Sequence, residues 1–478
     1  MSAASGVLLP GFVGTSLPSW LARRLRDGLA GVCLFGENIV SIEQVRALTD
    51  SIREANPHAL IAIDEEGGDV TRLHYAHGSP YPGNAILGRL DDLALTERVA
   101  AHVAGMLRLT GINLNLAPVA DVNSNPLNPV IGIRSFGATP ELVARHTAAW
   151  VRGLEGEGVA SSPKHFPGHG DTSADSHLAM PVISKSLTEF RDTELVPFLA
   201  AIGAGASTIM TSHILLSAID PAGPVTFSHR VLRGLLRDEL GFDGVIVSDA
   251  LDMHGASGDI GIPAAAVRAL AGGCDLLCIG TRNTDEQLSE IEATIERAVV
   301  AGELTDERVT DAAARVTALA QRFVVKANAP AGDHDTAAAG AAEPIVPLTV
   351  PLTRVIDAFD VRPGTDLTGP FHLIGLDTVA NIAVGTVPWA PFVTSWLSEG
   401  DSLGHVPQGS RLMLIGRDNH RHPWVRDIIE LARATHPDAV VVDMGWPSND
   451  RAWADIATFG ASRLVGDALL ELLGGAHG

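Results

Sequence analysis

Cysteine is scarce in this chain: three in 478 residues, Cys33, Cys274 and Cys278. An odd, sparse count supplies no disulfide framework and points to a reducing compartment. Cys274 and Cys278 fall in the apolar run CDLLCIG, with no histidine cluster nearby, and are expected as core thiols rather than metal ligands. The opening stretch MSAASGVLLPGFVG has no basic segment before its apolar run and no A-x-A site, so no secretory leader is expected. Nor is any apolar stretch long enough to cross a bilayer. Positive charge is also short: 34 Lys and Arg against 56 Asp and Glu leave a formal charge of −22. Nucleic acid and anionic membrane, which both need a basic face, are thereby excluded as partners. A soluble cytoplasmic protein is the expectation.

Apolar residues are plentiful at 46%, enough for large buried cores. They gather into short runs: GVLLPGFVG from Gly6, GVCLFGEN from Gly31, ALIAIDEEG from Ala59 and INLNLAPVADV from Ile112. VASSPKHF from Val159, ASTIMTSHI from Ala206, FDGVIVSDAL from Phe242 and CDLLCIG from Cys274 follow. Amphipathic stretches such as SIEQVRALTDSIREA and TPELVARHTAAWVRGLEGEG separate them, with Ser41, Thr139 and Ser228 at expected N-caps. Eight strand–helix units are the count of a TIM (β/α)8 barrel. A doubly wound sheet competes less well, because polar residues recur at nearly every strand end instead of at one crevice. Thr284–Gly302 and Thr305–Phe323 read as helices closing the barrel.

The expected division is an α/β barrel over residues 1–326, an Ala/Gly/Pro-rich linker over 327–344, and a smaller sandwich-like α/β domain over 345–478. FHLIGLD, SRLMLIGRD and DAVVVDMG supply strands of that second domain.

Reactive groups of such a barrel stand at the C-terminal ends of its strands. Here those ends carry Asp64-Glu65-Glu66, then Asp121 with Arg134 in the next loop, Lys164-His165, Ser212-His213, and Ser248-Asp249. A barrel needs none of this charge to fold. Asp249 directly follows the buried run GVIVS and should face the barrel mouth, where a carboxylate can attack an anomeric carbon. Capping the next helix or pairing with a rim arginine is the competing use of Asp249. Asp252 lies past the strand end and reads as a loop residue. The loop FPGHGDTSADSH offers His169, Asp171, Asp175 and His177. The Asp175-Ser-His177 spacing lets a carboxylate orient an imidazole, which can then give and take a proton. A polar loop bonded to its own backbone, or a metal site, are the alternatives. Asp64 can accept from two hydroxyls of a sugar, while Arg72, Arg134, Lys164 and His165 can donate.

KHFPGHGDTSADSH (Lys164 to His177) resembles the motif of β-N-acetylglucosaminidases of glycoside hydrolase family 3. IDEEGGDVTRL (Ile63 to Leu73), IRSFG (Ile133 to Gly137) and VIVSDALDM (Val245 to Met253) fall in that family's order, and the likeness covers roughly residues 5 to 325. The resemblance implies retaining, two-step release of terminal β-linked N-acetylglucosamine (GlcNAc) through a covalent glycosyl-enzyme. It implies Asp249 as nucleophile, His177 as acid/base assisted by Asp175, and Asp64, Arg72, Arg134, Lys164 and His165 as sugar-binding residues. It implies a small carbohydrate substrate, GlcNAc-containing disaccharides or muropeptides in cell-wall recycling, and neither cofactor nor metal. An imidazole does not repel an incoming anion as a carboxylate base would. Phosphate in place of water, giving a phosphorylase, is therefore the alternative second step. A non-catalytic sugar-binding barrel is the alternative of another class. Glu65 and Asp69 depart from the family pattern, which has Gln and a basic residue there in many members, and are expected to alter the preferred aglycone.

Overall fold

The computed structural model describes residues 3–172, 181–183, 185–258, 260–324, 348–378, 383–390 and 392–474. Eight short parallel strands follow the expected runs: β1 (Leu8–Pro10), β2 (Gly31–Leu34), β3 (Leu60–Ile63), β4 (Leu114–Asn115), β5 (Ala160–Ser161), β6 (Thr208–Met210), β7 (Val245–Val247) and β8 (Leu277–Gly280). β1 pairs with β8, β2 through β5 pair in succession, and β6 pairs with β7. Backbone hydrogen bonds carry the ring across the remaining joints. Phe166 N–H donates to Met210 O at 2.8 Å, Ser248 N–H to Leu276 O at 2.9 Å, and Ala30 N–H to Ser5 O at 3.2 Å.

Period-two alternation sets the layers. Leu9, Cys33, Leu60, Ala62, Leu114, Met210, Val245 and Val247 share one buried cluster inside the ring. Leu8, Val32, Leu34, Ile61, Ile63 and Ile246 belong to the outer cluster beneath the helices. The helix Asp306–Arg322 closes the floor: its Val316 and Leu319, with Phe323 beyond, join the inner cluster, and Asn113 Nδ2 donates to Phe323 O at 3.1 Å. Cys33, Cys274 and Cys278 are buried free thiols. Burial pushes Cys274 up, and a hydrogen bond with Cys33, then burial, raises Cys278.

Of the expected caps, Ser41 Oγ accepts Gln44 N–H at 3.2 Å ahead of helix Ile42–Ala55. Thr139 stands at the N-cap of helix Pro140–Gly156 without a side-chain cap bond; a proline already fills the first helical turn, where its missing N–H costs nothing. Ser228 lies one residue earlier than a cap, with Oγ accepting Val231 N–H at 3.2 Å.

The second domain is a six-stranded sheet: β9 (Asp360–Val361), β10 (Phe371–Leu376), β11 (Trp396–Leu397), β12 (Arg411–Gly416), β13 (Val440–Asp443) and β14 (Ile456–Ala457). Its spatial order is β9-β14-β13-β12-β10-β11, parallel except for the β9–β14 edge. Helix Pro423–Thr435 covers one face through Val425, Ile429 and Ala432. The buried residues of helix Arg463–Leu472 lie in one cluster with Met413, Ile415, Val440 and Val442 of the sheet's other face. The linker expected at 327–344 falls outside the described residues. Among the described residues no helix is long and apolar enough to cross a membrane.

This domain rests on loops at the C-terminal rim of the barrel. Ala461 N–H donates to Asp69 Oδ1 at 2.8 Å, and Ser462 Oγ to Tyr81 O at 3.0 Å. Arg421 donates to Asn128 O at 3.1 Å, and the Arg89 guanidinium lies 4.0 Å over the Phe459 ring.

Candidate active site

The site begins where β3 ends. Asn115, the last residue of β4, clamps Glu65 from both sides: Oδ1 accepts Glu65 N–H at 3.0 Å and Nδ2 donates to Glu65 O at 2.9 Å. Asp64 and Glu66, on either side of that clamp, both reach the Lys164 ammonium. Lys164 Nζ stands 2.6 Å from Asp64 Oδ1 and 2.7 Å from Glu66 Oε1. Arg134 grips Glu66 with both arms, at 2.8 and 3.0 Å. Burial alone raises the Glu66 carboxyl, but Arg134 and Lys164 reverse this and hold it far below the usual carboxylate range. Burial alone lowers Lys164, and Asp64 and Glu66 more than reverse it. Glu66, Arg134 and Lys164 therefore stay charged at neutral pH and, with Asp64, make a fixed frame suited to a hydroxyl-rich ligand.

Arg72 reaches toward Asp64 Oδ2 at 4.0 Å, while it donates to Ala383 O of the second domain at 2.8 Å. Glu65 fixes the arginine's backbone: its carboxylate accepts Arg72 N–H at 2.8 Å, Leu73 N–H at 2.9 Å and Thr71 Oγ1–H at 2.6 Å. The expectation that Glu65 and Asp69 act on the aglycone is thus redirected. Glu65 folds back on its own loop, and Asp69 holds the second domain.

A second centre forms around Asp121, fully buried past β4. Its Oδ2 accepts His165 Nδ1–H at 2.7 Å, and its Oδ1 accepts the backbone N–H of His165 at 3.1 Å and of His169 at 2.7 Å. That network assigns the imidazole proton to Nδ1. His165 Nε2 then faces Arg134 at 3.4 Å. His169 is pushed down to about 4, chiefly by burial, and so stays neutral at pH 7. Its Nε2 has no hydrogen-bond partner among the described residues.

Asp249 follows β7 and is partly exposed, with Oδ1 accepting Ala250 N–H at 2.8 Å. Its charge acts weakly on His169, against the larger effect of burial. His213 steadies the neighbouring backbone: Nε2 donates to Ala250 O at 3.0 Å and Nδ1 meets Thr226 Oγ1 at 2.8 Å. Asp252 accepts Thr281 N–H at 3.2 Å, the loop use expected of it.

Asp64, Arg72, Arg134, Lys164 and His165 are therefore brought together at one rim, and Asp249 stands just past the end of β7. Asp175 and His177 lie in 173–180, outside the described residues. Sequence reasoning gave no role to Glu66, Asp121 or His213. Each stands at a strand end, and that position was the available signal.

Residues 19–319 match the glycosyl hydrolase family 3 N terminal domain. A beta-hexosaminidase of Stenotrophomonas maltophilia (strain K279a) is 39% identical over 284 residues, covering 57% of this chain and 83% of that one. Beta-hexosaminidase A of Pseudoalteromonas piscicida is 34% identical over 332 residues, 64% of this chain; the match spans only 55% of that longer protein. A family 3 beta-N-acetylglucosaminidase structure from Paenibacillus sp. str. FPU-7 superposes with a TM-score of 0.85 at 30% identity, covering 100% of this chain and 97% of that one. The chain belongs to glycosyl hydrolase family 3.

Proposed function

We propose that this protein is a β-N-acetylglucosaminidase that hydrolyses terminal, non-reducing β-linked GlcNAc with retention of configuration. The observation that carries the reading is the Asp64–Lys164–Glu66–Arg134 frame at the barrel mouth, buried but for Asp64, with the Asp249 carboxylate at the end of β7. Asp64, Arg72, Lys164, Arg134 and His165 hold the sugar hydroxyls. Asp249 attacks the anomeric carbon, the leaving oxygen departs with a proton from His177, and a glycosyl-Asp249 ester results. His177, oriented by Asp175, then takes a proton from water as the hydroxyl adds to the anomeric carbon and Asp249 leaves. The relatives' names support the hexosaminidase activity. A non-catalytic sugar binder would have no use for a carboxylate set at the end of β7.

The finer substrate assignment, GlcNAc-containing disaccharides or muropeptides of cell-wall recycling, and a cytoplasmic location are part of the same proposal. Three buried, unpaired thiols fit a reducing compartment. The test is turnover of an aryl β-N-acetylglucosaminide by wild type and Asp249→Ala, with the product identified in phosphate and in phosphate-free buffer. Free β-GlcNAc in both buffers and none from the variant is expected. Full activity of Asp249→Ala would overturn the mechanism, and GlcNAc-1-phosphate as product would replace hydrolysis with phosphorolysis.

A further inference from the structure

The loop after β3, which carries Asp64, Glu65, Glu66 and Arg72, is held from two sides. The barrel fixes its inner end through Asn115 and Lys164. The second domain fixes its outer end through residues 383–388. Arg72 Nη2 donates to Ala383 O at 2.8 Å. Val70, Val384 and Val387 form a small buried cluster, with Tyr75 and Ala383 packed against it. Tyr75 Oη accepts Thr386 N–H at 3.1 Å and meets Thr386 Oγ1 at 3.1 Å. Glycines on both sides make room for Tyr75. A Cβ at Gly36, just past β2, would lie 2.7 Å from its ring, and one at Gly385 would lie 2.7 Å from its hydroxyl. Gly385 also has φ +69°, a left-handed conformation that favours glycine.

The Arg72 guanidinium takes its aim from this strap. The side chain is only 9% exposed. Among the described residues its hydrogen-bond acceptors are Ala383 O at 2.8 Å and the adjoining Thr71 O at 3.5 Å. Asp64 stays 4.0 Å away, although the Lys164 ammonium reaches that same carboxylate at 2.6 Å. The short bond that orients the guanidinium therefore comes from the second domain, and the long contact from the barrel. A guanidinium is planar and its N–H groups point in fixed directions, so one close acceptor sets where the others point. Glu65 pins the Arg72 backbone separately, which leaves the side chain as the part that the second domain controls.

We infer that residues 383–388 of the second domain, seated on Tyr75, are a positioning strap for the sugar site: Ala383 O, by accepting Arg72 Nη2–H, sets the direction in which the arginine meets the sugar. The second domain is then part of the binding site, and Tyr75 and Gly385 are positioning residues that act through Arg72. This rests on the glycosidase reading above and concerns only how tightly the sugar is held.

The test measures kcat and KM with 4-nitrophenyl β-N-acetylglucosaminide for wild type, Tyr75→Phe, Gly385→Ala, Arg72→Ala, Ser462→Ala, and the doubles that join Arg72→Ala to Tyr75→Phe or to Gly385→Ala. Tyr75→Phe keeps the ring and loses only the bonds to Thr386, so it decides the question should Gly385→Ala fail to fold. Tyr75→Phe should raise KM by about threefold to tenfold and Gly385→Ala by about tenfold, with kcat within about twofold of wild type. Arg72→Ala should raise KM by at least as much. In that background neither strap change should move KM by more than about twofold, because residues acting through one group are not additive. Ser462→Ala removes a different interdomain bond, to Tyr81 O, and should leave KM within about twofold. The inference is overturned if the strap variants leave KM unchanged, if they raise it by the same factor with and without Arg72, or if Ser462→Ala raises it equally. An unchanged KM in Arg72→Ala overturns it as well. In each of these cases turnover that persists here and vanishes in Asp249→Ala keeps the glycosidase reading. A wild type inert toward the substrate fells that reading, and the strap's role with it.

Discussion

Asp69, on a barrel loop, accepts the backbone N–H of Ala461 in the second domain at 2.8 Å. Ala461 directly precedes Ser462, the N-cap of helix Arg463–Leu472. The Asp69 carboxylate thus serves the start of that helix, a favourable place for negative charge. Burial nevertheless dominates and pushes its carboxyl up to about 6, against Arg417 and the Ala461 and Ser462 N–H groups, with Asp418 pushing the same way as burial.

The sign of the pH effect follows. The folded value of about 6 lies above the ordinary 3.8, so the native state binds more protons than the unfolded chain between about pH 4 and 6. The contribution is fully present below about pH 4 and is lost as pH rises through about 6. Asp69→Asn keeps an acceptor and removes the charge. Relative to wild type it should gain on the order of 1–3 kcal/mol more stability at pH 7 than at pH 4. Unfolding curves of both proteins at the two pH values measure this. An identical difference at both would refute the raised carboxyl.

Glu66 has the opposite character. Its folded carboxyl is held low by Arg134 and Lys164, so its contribution is present above the ordinary carboxylate range and lost as pH falls. Glu66→Gln would leave two buried cations sharing Asp64. Removing one partner of a buried pair costs about 3–5 kcal/mol. The variant should unfold at lower temperature, and KM for an aryl GlcNAc substrate should rise by about tenfold or more, because Lys164 and Arg134 lose their fixed positions. Calorimetry and initial rates check the two halves separately.

Much of this architecture was legible beforehand, and the reason is local. All eight strands lie within the expected apolar runs, because a strand buried on both faces must be continuously apolar. Asp249 was legible for the same reason: it is the first charge after such a run. Glu66 and Asp121 were visible as strand-end acids, but their work depends on partners 68 and 44 residues away, Arg134 and His165. No spacing rule reaches that far. Glu65 and Asp69 were read as neighbours of the sugar because they adjoin Asp64 in sequence. The Asn115 clamp turns Glu65 back on its loop, and the second domain claims Asp69. Docking of that domain was illegible, since it uses backbone groups such as Ala461 N–H and Ala383 O that carry no side-chain signal.

Asp121 offers a sharper test of the His165 tautomer. Its Oδ1 takes two backbone N–H groups, and its Oδ2 takes His165 Nδ1–H. Asn at this position can keep the backbone bonds only by presenting its NH2 to Nδ1, which moves the ring proton to Nε2, toward Arg134. Asp121→Asn should lower kcat/KM by about tenfold to a hundredfold, the loss of a charge-assisted hydrogen bond. Nitrogen NMR of the His165 ring should show the proton on Nε2 in the variant; an unchanged Nδ1–H signal would sink the argument.

Gly170 isolates close packing from charge. A Cβ there would lie 1.7 Å from Val122 O and 2.4 Å from its carbonyl carbon, which is backbone and cannot rotate away. Val122 adjoins Asp121, and Gly170 adjoins Asp171, so relief must displace either the Asp121 centre or the start of the His177 segment. Gly170→Ala should therefore destabilise the fold by about 1–3 kcal/mol and lower kcat by more than about tenfold. Gly156, at the end of helix Pro140–Gly156 with nothing within 4 Å of its Cβ position, is the control. There Ala should be neutral or stabilising by about 0.5–1 kcal/mol. Parallel unfolding and rate measurements on the two variants decide the matter: equal behaviour would mean that the tight approach of Gly170 to Val122 places nothing the reaction needs.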